Sequence, residues 1–167
     1  LHIVSDAADR YGMEPGPISY GEAREEIDSL IKGYSGFSIE KGQRVAIGLD
    51  NRPDFFYHWL ALNAMGISVV PLNPAWKSAE LEFVLGHSEA CLTVVLPEHL
   101  KALNGAAEAS NGCGVITPNC VYGDQKIEVS GDATSECALL YTSGTTGKPK
   151  GCMLSNEYYT LAGEWYG

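Results

Sequence analysis

Positive charge is scarce in this sequence: 11 Lys and Arg stand against 21 Asp and Glu, a formal net charge of -10 at neutral pH. Neutralising phosphates along a nucleic acid takes clustered Lys and Arg, so no nucleic acid is expected as a partner, and an anionic membrane surface is equally disfavoured. No apolar run is long enough to span a bilayer, so no integral membrane segment is expected. The opening residues, Leu1-His2-Ile3-Val4-Ser5-Asp6, lack a basic stretch leading into a long apolar one, and no signal peptide is read there. An initiator methionine is also missing, which leads us to expect a piece of a longer gene product. The five cysteines, Cys91, Cys113, Cys120, Cys137 and Cys152, are odd in number and never spaced CxxC. That disfavours a zinc site and a disulfide framework. Cys91 and Cys137 lie in apolar runs and read as small buried hydrophobes, a pattern that suits a reducing, cytoplasmic setting.

What is present suffices for one domain. The chain has 167 residues with ordinary apolar content, enough for a sizeable core. Residues up to Pro17 show no sustained period and read as an irregular arm, 1–18. Ser19 and Glu22 form a capping-box pattern. Ala23, Ile27, Leu30 and Ile31 then recur at helical spacing, with Glu25 and Glu26 on the solvated face and Gly33 ending the helix. Val45 to Leu49 is a strand. Pro53 opens a helix that is apolar over much of its circumference, with Phe55, Trp59 and Leu62 on one face and Phe56 and Leu60 on another. Such a helix is expected to be buried on two sides. His58 on this helix reads as a ligand, a base or a satisfied core residue. Gly66 ends the helix, and Ile67 to Leu72 is the next strand.

Ser78 caps a helix carrying Leu81, Val84 and Leu85, and Cys91 to Leu96 is a third strand. A short helix runs from Pro97 through Leu103, and residues 104–112, small and polar, read as a loop. Val115-Ile116-Thr117 and Ile127-Glu128-Val129 are candidate short strands. Cys137 to Tyr141 and Cys152 to Leu154 complete the strands, and Ser155 or Asn156 caps a last helix. Strands alternating with helices give the expected fold class: α/β, a parallel sheet with flanking helices and right-handed crossovers. The α/β region is assigned to 19–136, and the loop with its following helix to 137–167.

Between the last two strands lies Tyr141-Thr142-Ser143-Gly144-Thr145-Thr146-Gly147-Lys148-Pro149-Lys150-Gly151. Glycines let the backbone approach a bulky anion closely. Thr142, Ser143, Thr145 and Thr146 supply hydroxyl donors, and Lys148 and Lys150 supply positive charge. Together they make a phosphate cradle. It is not a Walker A loop: Pro149 follows Gly147-Lys148 where Ser or Thr is required, and Thr142 stands where the first glycine belongs.

This stretch resembles the signature loop of the adenylate-forming enzymes, which include acyl-CoA synthetases, peptide-synthetase adenylation domains and firefly luciferase. Lys41 to Ile47 resembles the family's Gly-Asp-Arg-Val-Ala strand entry, with Gln43 where Asp is common. Ala64 to Pro74 resembles its Ala-Gly-x-x-x-x-Pro-Leu-Asn-Pro segment, and Ser78 to Val95 its following helix and strand. The likeness runs from about Ser19 onward, and only the loop is strongly diagnostic.

The resemblance implies the N-terminal part of the family's large domain, with the C-terminal domain absent. It implies a two-step reaction in which a small-molecule carboxylate reacts with Mg²⁺-bound ATP to give an acyl-adenylate, and coenzyme A then takes the acyl group. Thr142, Ser143, Gly144, Thr145, Thr146, Gly147 and Lys150 are thereby expected at the ATP phosphates. Lys148 is less fixed, because that position varies in the family. Asn156 stands where the family often has His, so it reads as substrate-adjacent, as a helix N-cap, or as both. The family's Tyr-Gly-x-Thr-Glu segment, ribose-binding Asp, hinge and catalytic lysine do not occur by Gly167. No catalytic residue and no metal ligand is therefore assigned, and the 167 residues alone are expected to be inactive. A homodimer stays open. The rival readings are a peptide-synthetase adenylation module, a nucleotide-binding module without ligase chemistry, and a non-catalytic α/β interaction domain.

Overall fold

A computed structural model of the chain describes residues 2–3, 16–73, 75–121, 123, 129–142 and 149–166. A two-residue antiparallel pair joins β1 (His2–Ile3) to β2 (Gly16–Pro17). The rest of the proposed arm and most of the 127–129 segment lie outside the described residues.

The main sheet contains β3 (Arg44–Gly48), β4 (Ser68–Pro71), β5 (Leu92–Val95), β6 (Gly114–Ile116), β7 (Glu136–Thr142) and β8 (Lys150–Ser155). Their order is β6-β5-β3-β4-β7-β8, and every pairing is parallel except β7 with β8. The helices are α1 (Tyr20–Tyr34), α2 (Pro53–Ala64), α3 (Ser78–Ser88), α4 (Leu100–Ala109) and α5 (Asn156–Tyr166). The expected parallel α/β sheet is thus present, with one antiparallel edge strand added.

Alternation along the strands sorts the core into two layers. Val45, Ile47 and Val69 face α1 and α2, where they meet Ile31, Tyr34 and Leu62. Ala46, Val70 and Val95 face α3 and α4, where they meet Leu81, Leu85 and Leu103. The chain steps from β3 to β4 on one side, then returns over β3 to reach β5. Right-handed crossovers in opposite directions must put α2 and α3 on opposite faces.

Local chemistry sets the helix ends. Ser19 Oγ accepts from Glu22 N, and the Glu22 carboxylate accepts from Ser19 N, so the capping box is formed. Gly66, at φ 73°, closes α2: its N–H donates to Asn63 O and the Ile67 N–H to Leu62 O, a Schellman end.

Four expectations need correction. Gly33 does not end α1, which continues to Tyr34. Its role is close approach, since a Cβ there would lie 2.7 Å from the Val121 carbonyl oxygen. Ser78 is the first residue of α3 rather than its cap, and Glu80 reaches back to the Lys77 N–H. Residues 104–109 are helix, not loop. Ala is the strongest helix former, and Leu103, Ala106 and Ala107 are buried on one face. Phe56 and Leu60 on α2 are about half exposed, at 53% and 50%, so only one side of α2 is covered by the described residues.

Two glycine substitutions should therefore move stability in opposite directions. Gly33→Ala should cost about 1–3 kcal/mol through its clash with Val121. Gly105→Ala, within α4 and with nothing near its Cβ position, should stabilise by about 0.5–1 kcal/mol. Urea unfolding midpoints of the two variants measure both; a shift of the same sign would contradict the assignment.

Candidate functional site

The phosphate-cradle sequence sits on the β7–β8 hairpin. Tyr141 pairs with Gly151 and Thr142 with Lys150 across antiparallel strands. A parallel crossover takes about a dozen residues or more, so the short stretch 143–149 permits only a hairpin. Because β7 runs parallel to β4, Thr142 lies at the carboxyl end of the parallel strands, the side on which open α/β sheets bind ligands. Of the expected phosphate-binding residues, Thr142 and Lys150 are brought opposite each other, both exposed. Ser143, Gly144, Thr145, Thr146, Gly147 and Lys148 lie outside the described residues.

The stem of this hairpin is fixed at both ends. At its base, Arg44 holds Glu136 through two hydrogen bonds, Nε to Oε1 at 2.7 Å and Nη2 to Oε2 at 2.8 Å. Ser68 Oγ donates to the same Oε1 at 2.7 Å, and Arg44 Nη1 donates to the Ser88 carbonyl. Burial pushes the Glu136 carboxyl up, but the Arg44 and Ser68 hydrogen bonds outweigh it, and the group titrates below its ordinary value. Nearer the tip, Tyr141 Oη lies 2.7 Å from His87 Nδ1. A Cβ on Gly151 would meet Leu139 Cδ1 at 2.9 Å and Tyr141 Cε1 at 3.5 Å, so glycine leaves room for these side chains.

An irregularity between Glu136 and Ala138 places one extra residue against the Ser155–Leu154 step. Such a bulge re-aims a side chain, here Cys137, which turns to α2. Trp59 Nε1 donates to Cys137 Sγ at 3.4 Å, and the thiol donates to Asn63 Oδ1 at 2.8 Å. Asn63 Nδ2 in turn donates to Cys137 O and Ile67 O. Burial raises the Cys137 thiol, with Trp59 lowering it in part, so it stays a neutral core group. Cys91 is half-buried, close to the role its apolar setting suggested.

Asn156 starts α5, and the cap is Ser155, whose Oγ accepts from Tyr158 N at 3.2 Å. Asn156 instead donates through Nδ2 to Asp132 O at 2.8 Å. With Trp59, Asn63, Cys137 and Tyr159 it lines a cavity of about 440 Å³. Asp132 organises the segment before β7: its carboxylate accepts from Lys41 Nζ, Thr134 and Ser135, which hold it well below the usual carboxylate range. Among the described residues no group of three or more His, Cys, Asp and Glu is placed to hold a metal ion. The roles of Arg44, His87, Asp132 and Glu136 were missed in the sequence. For Arg44, His87 and Glu136 the ion-pair and hydroxyl partners lie 54 to 92 residues away, which no local pattern reports; Asp132 joins Lys41, 91 residues away, to a local Asp-x-Thr-Ser turn that the sequence does show.

A family model described as AMP-binding enzyme matches residues 5–165. The chain belongs to the AMP-binding enzyme family. Similar curated proteins include a crotonobetaine/carnitine–CoA ligase of Proteus sp. (strain LE138), 29% identical over 87% of this chain. Another crotonobetaine/carnitine–CoA ligase, of Shigella flexneri serotype 5b (strain 8401), is 29% identical over 95% of it. The chain spans 32% and 37% of the length of these two relatives. Among solved structures, a Mycobacterium tuberculosis fatty acyl CoA synthetase superposes with a TM-score of 0.77 at 19% identity, over 91% of this chain and 32% of that one. An o-succinylbenzoate CoA synthetase from Bacillus subtilis, in complex with its acyl-adenylate intermediate, gives 0.75 at 25% identity, over 88% of this chain and 39% of that one. These two enzymes thus share the fold of this chain.

His58 belongs to the core. It is 2% exposed, and its Nδ1 lies 2.6 Å from Tyr34 Oη. Burial raises the Tyr34 phenol, so it keeps its proton and donates. Burial pushes the His58 imidazole down to about 4, with Asp54 offsetting part of the effect. The unfolded imidazole titrates near 6.5, so between about pH 6.5 and 4 the unfolded chain binds a proton that the folded chain refuses. This contribution is complete above pH 6.5 and falls by up to about 3 kcal/mol as pH drops to 4. Urea unfolding across that range should show the loss in wild type and a flatter slope in His58→Gln. Parallel slopes would rule out His58 as the source.

Proposed function

We propose that the protein containing this chain activates a small-molecule carboxylate with ATP and passes the acyl group to coenzyme A. In the first step a carboxylate oxygen bonds to the α-phosphorus of ATP, and the bond from that phosphorus to the bridging oxygen breaks. The electron pair leaves with pyrophosphate. In the second step the coenzyme A sulfur attacks the acyl carbonyl, its proton goes to solvent, and AMP departs. The observation that carries this reading is the family match across 5–165, together with the cradle sequence at the carboxyl end of β7.

This chain's part is electrostatic. Thr142, Ser143, Gly144, Thr145, Thr146 and Gly147 supply hydroxyl and amide donors to the β- and γ-phosphates, and Lys150 supplies positive charge beside them. Donors already aimed at the leaving group stabilise charge as it develops, with little reorganisation. Mg²⁺ would arrive bound to the triphosphate, where its charge helps neutralise the phosphate oxygens. Asn156, at the cavity beside Trp59 and Tyr159, is assigned next to the acid. Five free cysteines suit a reducing, cytoplasmic compartment, and no helix among the described residues is long and apolar enough to cross a membrane.

The test is carboxylate-dependent exchange of pyrophosphate into ATP by the full-length protein, over a panel including L-carnitine, crotonobetaine, o-succinylbenzoate and fatty acids of graded length. At least one acid should support exchange, and Thr145→Val should lower it roughly tenfold to a hundredfold. ATP binding without exchange on any acid would favour a nucleotide-binding module lacking ligase chemistry.

A further inference from the structure

We propose that His87 is a positioning residue for the triphosphate: acting through Tyr141, it holds the hairpin stem in which Thr142 and Lys150 face each other. The inference rests on the reading that this hairpin grips the ATP phosphates.

His87 lies in the last turn of α3, a helix separate from the hairpin. Its Nδ1 is 2.7 Å from Tyr141 Oη, and the two rings meet edge to face at 5.7 Å. One turn back, Phe83 stacks on the His87 ring at 5.4 Å, which restricts the imidazole to one orientation. The helix end is itself tied down, because the neighbouring Ser88 carbonyl accepts from Arg44. Tyr141 stands directly before Thr142 and opposite Gly151 in the register. Leu139 Cδ1 occupies the space a Cβ on Gly151 would need, and Tyr141 Cε1 lies beside it at contact distance, 3.5 Å. The tyrosine ring thus reaches the Gly151 position on the facing strand, with its hydroxyl fastened to α3.

This matters because β8 is an edge strand, paired on one side only among the described residues. Its residues Lys150 to Met153 are exposed. Backbone pairing sets its register, and side-chain cover at Gly151 comes from Leu139 and Tyr141. Freeing the hydroxyl lets the ring move off Gly151 and loosens the spacing of Thr142 and Lys150. The acid-side residue Asn156, anchored separately to Asp132, is unaffected.

The experiment uses the full-length protein and compares calorimetric binding of ATP, with MgCl2, against binding of AMP. Tyr141→Phe removes the hydroxyl. His87→Phe keeps a ring on Phe83 but loses the hydrogen bond, and His87→Asn returns a polar atom near the place of Nδ1. Tyr141→Phe and His87→Phe should each weaken ATP roughly threefold to tenfold, the scale of one hydrogen bond, and leave AMP unchanged. The double variant should be no worse than either single, and His87→Asn should recover much of the loss. Unchanged ATP binding, equal weakening of ATP and AMP, or additive losses in the double variant would overturn the inference. Failure of the underlying reading shows differently: wild type itself would then bind ATP no more tightly than AMP, and the inference would fall with it.

Discussion

Arg44 and Glu136 begin two strands that are not neighbours. β4 lies between β3 and β7, and the ion pair reaches across it, collecting Ser68 from the first position of β4 on the way. The two side chains are 23% and 24% exposed, so both charges have given up much of their water. Such a pair is weak evidence for net stability, but removing either partner leaves a charge with nothing to replace its hydration. The consequence is a fixed register. Sliding β7 by one residue would take Glu136 out of reach and turn Leu139 and Tyr141 to the opposite face. The hairpin therefore starts from a defined point.

Under the proposed function, anion binding by this chain has to be local. A net charge of -10 sets up a field that opposes a triphosphate, and long-range steering works against approach. Short-range donors and nearby cations are what remain. The sequence concentrates them: four hydroxyls, two glycines and two lysines fall within 142–150. The same reasoning explains why the motif could be read at once as a phosphate site. Its chemistry is unlike that of the chain around it.

The fold was legible where a local rule governs. Capping by Ser19, the Gly66 helix end and the strand beginning near Val45 each depend on a few adjacent residues, and each is present. It was less legible where small residues carry two meanings. Ala106 and Ala107 are small enough to suit a loop, yet the same smallness lets them pack as helix. Gly33 was taken for a stop because it lacks a side chain, yet what that lack provides is contact with Val121. The site divides the same way. The candidate donors stand in order along the chain, whereas the supports at His87 and Arg44 act across long separations and leave no local trace. Phe56 and Leu60 show a third case: a helix can be apolar on two sides while the described residues cover only one.

A loop of glycine, serine and threonine has no apolar side chain with which to hold itself in place. Ordering each of its residues costs about 1–2 kcal/mol in backbone entropy, and hydrogen bonds to a phosphate must exceed that sum before binding is favourable. The cost falls if the two ends of the loop are already held at the right separation, because closure is then settled before the ligand arrives. Here that separation is set by the Thr142–Lys150 pair, and the proposed role of His87 and Tyr141 is to hold that pair from outside the phosphate site. A rigid stem under a permissive loop resolves the conflict between close backbone approach, which needs glycine, and defined geometry, which glycine alone does not give. In the proposed phosphate-binding role, the identity of Tyr141 and Gly151 counts as much as the hydroxyls between them.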